Sequence, residues 1–413
     1  MKKLFKRLLL PLFAISLLFA PAAFADEPPV KVGLMFGLTG TASPIGPVQL
    51  DGAMLAIKEI NAAGGIDFNG KKRLIEHVVR DDETKPDAAI RRFRDLVTKD
   101  KVDLVIGQSL ASISGSLNKE VKRTPVAYFP VNVVGLDLFT PQELSPFTFA
   151  IHGCAYSTGY ASAVTVVKRL EKKKIVFFGP AYSFGTDQWK GAQAAFKEMG
   201  ITAEYLESPV GTNDFTPYLT KIIEMEPDAV MLAHWGVDAI SVLKQTYETG
   251  LKNRTTVFFN WMTNAFGSGV PPEALEGVYG LMSWYYDLGD FEDQAIAQKT
   301  KEFTDKFRKE FNYPPDPYSA MAYEGTLEAL RALSLAGSSD PDAISKALIA
   351  SPEFSTVKGK GAWRVDHQPA FDYGAFIVIG KGASERADNW DLVKVVGAYT
   401  GEDFLPSLSL FGY

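Results

Sequence analysis

One stretch limits the possible folds of this chain more than any other: GLTGTASPIGPVQLDGAMLAIKEINAAGGI, residues 37–66, directly after VKVGLMF. Val30–Phe36 is short, apolar and β-prone, and it reads as a buried strand. Gly37, Gly40 and Gly46 follow, giving a loop that turns sharply and lets backbone N–H groups come close to a ligand. Leu50, Ala53, Met54 and Ile57 then recur at helical spacing, which marks one face of a helix. Asn61-Ala62-Ala63-Gly64-Gly65 stops that helix with residues that tolerate left-handed geometry. A glycine loop running from a strand end into a helix start is where an open α/β sheet places its ligands.

The rest of the chain keeps this alternation. Val102–Ile106, Val126–Val131, Lys174–Phe178, Ala229–Ala233 and Thr256–Phe259 read as strands. Between them lie amphipathic stretches such as Ala89/Phe93/Leu96/Val97 and Trp189/Ala192/Phe196/Met199. Strands alternating with helices imply parallel sheets with right-handed crossovers. The 413 residues are many for one core and suit two domains. No Pro- or Ser-rich linker separates two halves, which suggests a chain that crosses between two lobes more than once.

The N-terminus predicts export. Lys2, Lys3, Lys6 and Arg7 precede an apolar run, Leu8–Ala20, that is too short to span a bilayer as a helix. Ala23-Phe24-Ala25 fits the small-x-small rule, so residues 1–25 are expected to be a signal peptide cleaved before Asp26. The alternative, a membrane anchor, is opposed by the acidic, proline-bearing start that follows at once. No cysteine follows the apolar run, which argues against a lipid anchor. A net charge of −6 and the lack of a basic stripe argue against nucleic acid. The single Cys154 leaves no internal disulfide to form.

Catalytic patterns are missing. There is no G-x-G-x-x-G after a strand, no G-x-S-x-G elbow, no P-loop and no H-E-x-x-H. His77, His152, His234 and His367 lack metal-ligand spacing. His77 reads as a strand residue and Cys154 as a small buried hydrophobe. Asp81-Asp82-Glu83 lacks calcium-loop spacing and reads as a capped, solvated turn. No cofactor or metal is expected, and an enzyme, whether hydrolase or dehydrogenase, is the least favoured class.

The block at residues 37–66 resembles the start of the periplasmic branched-chain amino-acid-binding proteins of ABC importers, the leucine-binding-protein-like type I solute-binding proteins. The resemblance continues through RDDETKP (80–86), KVDLVIG (101–107), AHWGVD (233–238) and GAWRVDHQPAFDYG (361–374). No single motif is specific, but their order and spacing together are. The resemblance implies a two-lobed α/β fold, each lobe a parallel sheet flanked by helices, with three hinge crossings near Phe147–Ile151, Tyr279–Tyr286 and Val357–Trp363. The first lobe would hold 26–149 and 284–358, and the second 150–283 and 359–413. It also implies a small-molecule ligand bound without chemistry, an inner-membrane ABC permease as partner, a periplasmic location and a monomer. A sensor presenting solute to a signalling receptor keeps the same fold and is the alternative.

The resemblance also implies a pocket. In the first lobe it points to the loops 108–112 and 130–134, with Ser109, Ala111, Ser112, Val131, Asn132 and Val133 as candidates and Ile45 at a position often aromatic. Ser112 is the best hydroxyl; Ala111 and Val133 occupy positions where relatives carry serine and threonine. In the second lobe it points to Tyr182, Phe184, Trp235, Trp261 and Asn264. The loop Asn260–Asn264 has no carboxylate where relatives hold an α-ammonium, and Asp238 is expected to be solvated at a helix start. Burying an ammonium without a counter-charge costs several kcal/mol, so a free α-amino acid is disfavoured. Apolar Ile45, Val133, Phe184, Trp235 and Trp261 favour an aromatic or apolar acid, or a neutral amide.

Overall fold

The computed structural model describes residues 27–289 and 291–413, so the expected signal peptide lies outside the described residues. The first sheet grows from β1 (Val30–Phe36). Its even residues face one hydrophobic core and Met35 faces another, as a strand covered on both sides requires. The chain then forms helix α1 (Gly46–Ala62) and the strands β2 (Ile66–Phe68) and β3 (Lys71–Arg73). β2 and β3 are joined through Asn69-Gly70, both at positive φ, the geometry of a tight hairpin turn.

β4 (Ile75–Asp81), α2 (Pro86–Thr98), β5 (Leu104–Ile106), α3 (Ala111–Val121) and β6 (Ala127–Phe129) follow. The sheet has the order β4-β1-β5-β6, parallel throughout. In α2, Ala89, Phe93 and Leu96 are buried, as their spacing predicts.

After residues 147–151 the chain leaves this sheet. It builds α4 (Ala155–Val164), β7 (Ile175–Pro180), α5 (Ser183–Glu198), β8 (Ala203–Ser208) and α6 (Thr216–Glu224). β9 (Ala229–Leu232), α7 (Gly236–Glu248), β10 (Thr256–Phe259), α8 (Pro272–Leu275) and β11 (Tyr279–Met282) complete the run. Helices α9 (Gln294–Phe311), α10 (Pro317–Ala336) and α11 (Pro341–Ala350) come next. α10 lies along α1 so closely that a Cβ on Gly52 would sit 2.1 Å from the Ser319 carbonyl oxygen. Only glycine permits that approach.

β12 (Glu353–Thr356), β13 (Gly359–Trp363) and β14 (Pro369–Phe371) form a small antiparallel sheet in the region of the expected third crossing. Phe354, Trp363 and Phe371 pack with side chains of β1, β5 and α10, so this sheet shares the first core. Pairing with the second sheet begins only at Tyr373, in β15 (Tyr373–Gly380), followed by β16 (Val393–Thr400). The second sheet has the order β16-β15-β11-β10-β9-β7-β8. Its five strands from β11 to β8 are parallel, as expected, and the antiparallel pair β15–β16 extends one edge. The two sheets with their flanking helices make a two-lobed α/β fold. No helix among the described residues is long and apolar enough to cross a membrane.

Candidate functional site

The carboxyl ends of strands in both sheets lead into helices that start at one place. β1 leads to α1 with Ile45 before its first turn, and β5 leads to α3 with Leu110. β7 leads to α5 with Tyr182, and β9 leads to α7 with Trp235. None of these four residues caps its helix with a side-chain acceptor. Apart from Pro47, which has no N–H, and Gly185, whose N–H reaches the Tyr182 carbonyl at 2.9 Å, the first-turn N–H groups lack a side-chain acceptor at the cap, and four positive helix ends meet.

Ile45, Ala111, Val133, Phe184, Trp235 and Trp261 lie in one buried cluster with Tyr318 and Met321 of α10, and Tyr182 and Leu110 pack against it. Tyr182 and Phe184 stack with ring centroids 6.0 Å apart. Seven predicted site residues from distant parts of the chain are thus brought together. Several contacts join the lobes here. The Trp235 indole N–H donates to the Tyr318 hydroxyl at 2.7 Å. Gly236, at φ 62°, lies so near the Thr41 carbonyl that a Cβ would meet its oxygen at 2.3 Å. Burial pushes the Tyr318 hydroxyl far up, so it stays neutral.

The other predicted residues have different surroundings. Ser112 opens α3 beside Ala111, half-buried, and its hydroxyl makes no hydrogen bond among the described residues. Val131 is buried in the first-lobe core, against Gly325, and does not join the cluster. The Ser109 N–H and hydroxyl both donate to Asp82, at 2.9 and 2.7 Å. Asn132 donates to the Ser109 carbonyl at 2.9 Å and accepts from the Val133 N–H at 2.7 Å. Asn264 donates to the Pro315 carbonyl at 3.2 Å. Ser109 and Asn132 therefore shape the loops with their polar groups.

The acidic turn after β4 differs from its expected solvated state. Asp82 is 0 % exposed and also accepts from the Thr84 N–H at 2.8 Å. Its neighbour Asp81 accepts from the Leu38 N–H at 3.0 Å and the Thr39 hydroxyl at 2.6 Å. The pair holds the two first-lobe loops that enter the cluster. Burial raises the Asp82 carboxyl above its ordinary range, partly offset by the Ser109 and Thr84 bonds. Asp238 stands in the first turn of α7 as expected, but it is buried and accepts from the Gly211 N–H at 2.8 Å.

A carboxylate does reach the 260–264 loop, from a residue that sequence reasoning missed. Asp316 precedes α10, accepts from the Thr263 hydroxyl, from the Ala265 N–H at 3.0 Å and from the Tyr318 N–H at 2.9 Å. Its oxygens are engaged in capping and in tying α10 to that loop. The signal in the sequence is Asp-Pro before an apolar helical run, a helix start.

His152 packs edge-on to Trp261 with centroids 5.1 Å apart. Burial holds it at about 3, and burial does the same for His234, so both rings are neutral. The Cys154 thiol is buried and pushed up to about 11, which makes it unreactive as a nucleophile. No group of three His, Cys, Asp or Glu side chains among the described residues is placed to hold a metal ion.

The buried, largely apolar cluster where the two lobes meet, ringed by helix starts, is the candidate site of a two-lobed α/β protein. The periplasmic binding protein family model matches residues 29–383, and the chain belongs to that family. An amino acid binding protein of Pseudomonas aeruginosa is 26 % identical over 373 residues, covering 88 % of this chain and 92 % of the relative. Two solved structures share the fold. One is a solute-binding protein of an ABC transporter from R. palustris in complex with benzoate, with a TM-score of 0.77 and 18 % identity, covering 90 % of this chain and 96 % of the other. The other is the branched-chain amino acid binding protein LivJ of Streptococcus pneumoniae in complex with isoleucine, with a TM-score of 0.75 and 22 % identity, covering 89 % and 99 %. The family and the fold are those of solute-binding proteins, which are not enzymes.

Proposed function

We propose that this protein is the solute-binding component of an ABC importer. It captures an aromatic or apolar carboxylic acid, or a related amide, by closure of its lobes and presents it to an inner-membrane permease. The lobes turn as two bodies, 26–149 with 284–371 against 150–283 with 372–413, which moves residues 359–371 from the second lobe of the sequence reading to the first, whose core Trp363 and Phe371 share. The mature protein starts at Asp26, works in the periplasm as a monomer, and uses no cofactor.

The observation that carries the reading is the cluster itself. Ile45, Val133, Phe184, Trp235 and Trp261 offer apolar and aromatic surface, while four uncapped helix starts offer positive ends to an acid group. The carboxylates beside it, Asp316 and Asp238, are engaged in bonds within the chain. Benzoate and isoleucine occupy two neighbours of the same fold, so the fold leaves the ligand open and the loop side chains decide it.

Calorimetry with benzoate, benzamide, leucine, isoleucine and valine tests the reading. Benzoate or benzamide is expected to bind stoichiometrically and to be recovered unchanged, and the three amino acids are expected to bind at least a hundredfold more weakly. Tight leucine binding that survives Trp235→Ala overturns the ligand class. Conversion of a bound compound, abolished by one point substitution, overturns the binding-only reading.

A further inference from the structure

Among the described residues, two amide side chains are buried with both polar atoms unpartnered. They are Gln49 and Gln108, each 0 % exposed. Such groups are costly unless something outside the chain supplies partners, since each orphaned donor or acceptor loses about 1–3 kcal/mol of hydration. Both belong to the first-lobe segments that enter the cluster. Gln49 lies one turn beyond Ile45 on α1, its N–H bonded to the Ile45 carbonyl at 3.1 Å. It is three residues before Gly52, which touches α10 at Ser319, next to Tyr318. Gln108 sits between Gly107, whose N–H reaches the Phe129 carbonyl at 3.0 Å, and Ser109, which Asp82 and Asn132 clamp. Nothing in the packing of the loops uses either amide.

Building on the proposed function, we infer that Gln49 and Gln108 read a second, neutral polar group on the ligand, a hydroxyl or a carboxamide. The chemistry of the pair excludes a carboxylate in this role. Two primary amides present N–H donors and carbonyl acceptors in equal measure. A carboxylate only accepts, and would leave both glutamine carbonyls unpaired. A phenolic hydroxyl or a carboxamide donates and accepts, so it satisfies both sides. The acid end of the same ligand falls to the helix starts. The ligand class narrows to an aromatic or apolar acid that also carries a neutral hydrogen-bonding substituent. A site with buried polar groups made for such a substituent rejects the analogue that lacks it, because its own groups are then left bare.

The experiment compares benzoate, para-hydroxybenzoate and para-carbamoylbenzoate on the wild type, Gln49→Leu and Gln108→Leu. The wild type is expected to prefer one of the substituted acids to benzoate by at least about tenfold. Each leucine variant is expected to lose that preference, with a gain in benzoate affinity, since leucine leaves no polar group bare. Side-chain amide resonances of the two glutamines provide a second readout on the unaltered protein, and both are expected to shift with the preferred acid. Benzoate binding equal to that of both substituted acids, or variants that discriminate as the wild type does, overturns the inference and leaves the solute-binding reading standing. Preferred binding without a shift in either glutamine overturns it too, and assigns the pair to internal water. Failure of all three acids to bind the wild type overturns the ligand class and this inference together.

Discussion

Replacing Trp235 by phenylalanine removes a hydrogen bond between the lobes, together with the packing of the outer part of the indole. Trp235 follows β9 of the larger sheet, and Tyr318 heads α10, which lies along α1 of the first lobe. The indole N–H donates to a hydroxyl that is 0 % exposed. In the closed state Trp235→Phe strips the Tyr318 oxygen of that donor, and water cannot replace it. With the lobes apart, water solvates both groups, so the open state loses nothing. The penalty falls on closure and amounts to at least about 1 kcal/mol, the net worth of a neutral hydrogen bond, to which the lost ring atoms add. That weakens the apparent affinity at least about fivefold. Trp235→Ala also removes the ring from the cluster and is expected to cost about 1–3 kcal/mol in binding, as for a buried aromatic anchor. Calorimetry on the tightest-binding acid gives both numbers, and small-angle scattering reports compaction on binding. An affinity for Trp235→Phe within twofold of wild type refutes the reasoning. So does a loss of unliganded stability as large as the loss in binding, which would make the bond a feature of the resting fold.

Other expectations are equally direct. Asp82→Ala is expected to lower stability by about 3 kcal/mol, because the buried Ser109 N–H and hydroxyl and the Thr84 N–H lose their acceptor. Asp82→Asn keeps only one acceptor oxygen and turns an NH2 toward a donor, so it is also expected to destabilise, by about 1–3 kcal/mol, and urea melts of the two variants compare them. Lys358 is buried and held down at about 8, chiefly by burial, with Glu324 acting against the shift. The unfolded chain keeps that lysine protonated to about pH 10.4, so it binds more protons between these values. Stability should therefore rise with pH from about 8 to 9.5, before tyrosines titrate, and Lys358→Met should remove that rise. The two buried histidines held at about 3 bind protons below about pH 6.5 only in the unfolded chain, so stability should fall as pH drops from about 6.5 toward 3, and His152→Gln should remove part of that fall.

Much of the fold could be read from periodicity because its elements carry their own signals. β10 spans Thr256–Phe259 as its apolar run predicts, and α1 ends at Ala62, just before the paired glycines. The apolar site residues came from the family resemblance, not from periodicity, and the structure gathers Ile45, Phe184 and Trp235 in one cluster. Long-range polar pairing was not legible. Asp82 looks like a surface turn until Ser109, 27 residues later, folds onto it. Asp316 looks like a helix cap and becomes a tie to Thr263, 53 residues earlier, only in three dimensions. Asn132 offers no local sign that it serves Ser109. Val131 shows how one residue changes the outcome: it faces the core, while Val133 joins the cleft cluster.

The antiparallel pair at the edge of the larger sheet bears on the order in which the molecule can be made. β11 lies between β10 and β15, with Leu281 opposite Ile377. While a ribosome works between those two positions, β11 has a bare flank of unpaired backbone groups. The first core is also incomplete at that stage, because α10, α11 and Trp363 still have to arrive. Neither half can therefore complete its sheet edge and core until the segment after α9 has been made. A chain stopped at Phe371 should keep that sticky strand permanently exposed and aggregate, whereas one that lacks only the final helical turn, Leu408–Phe411, keeps every strand pairing and should fold.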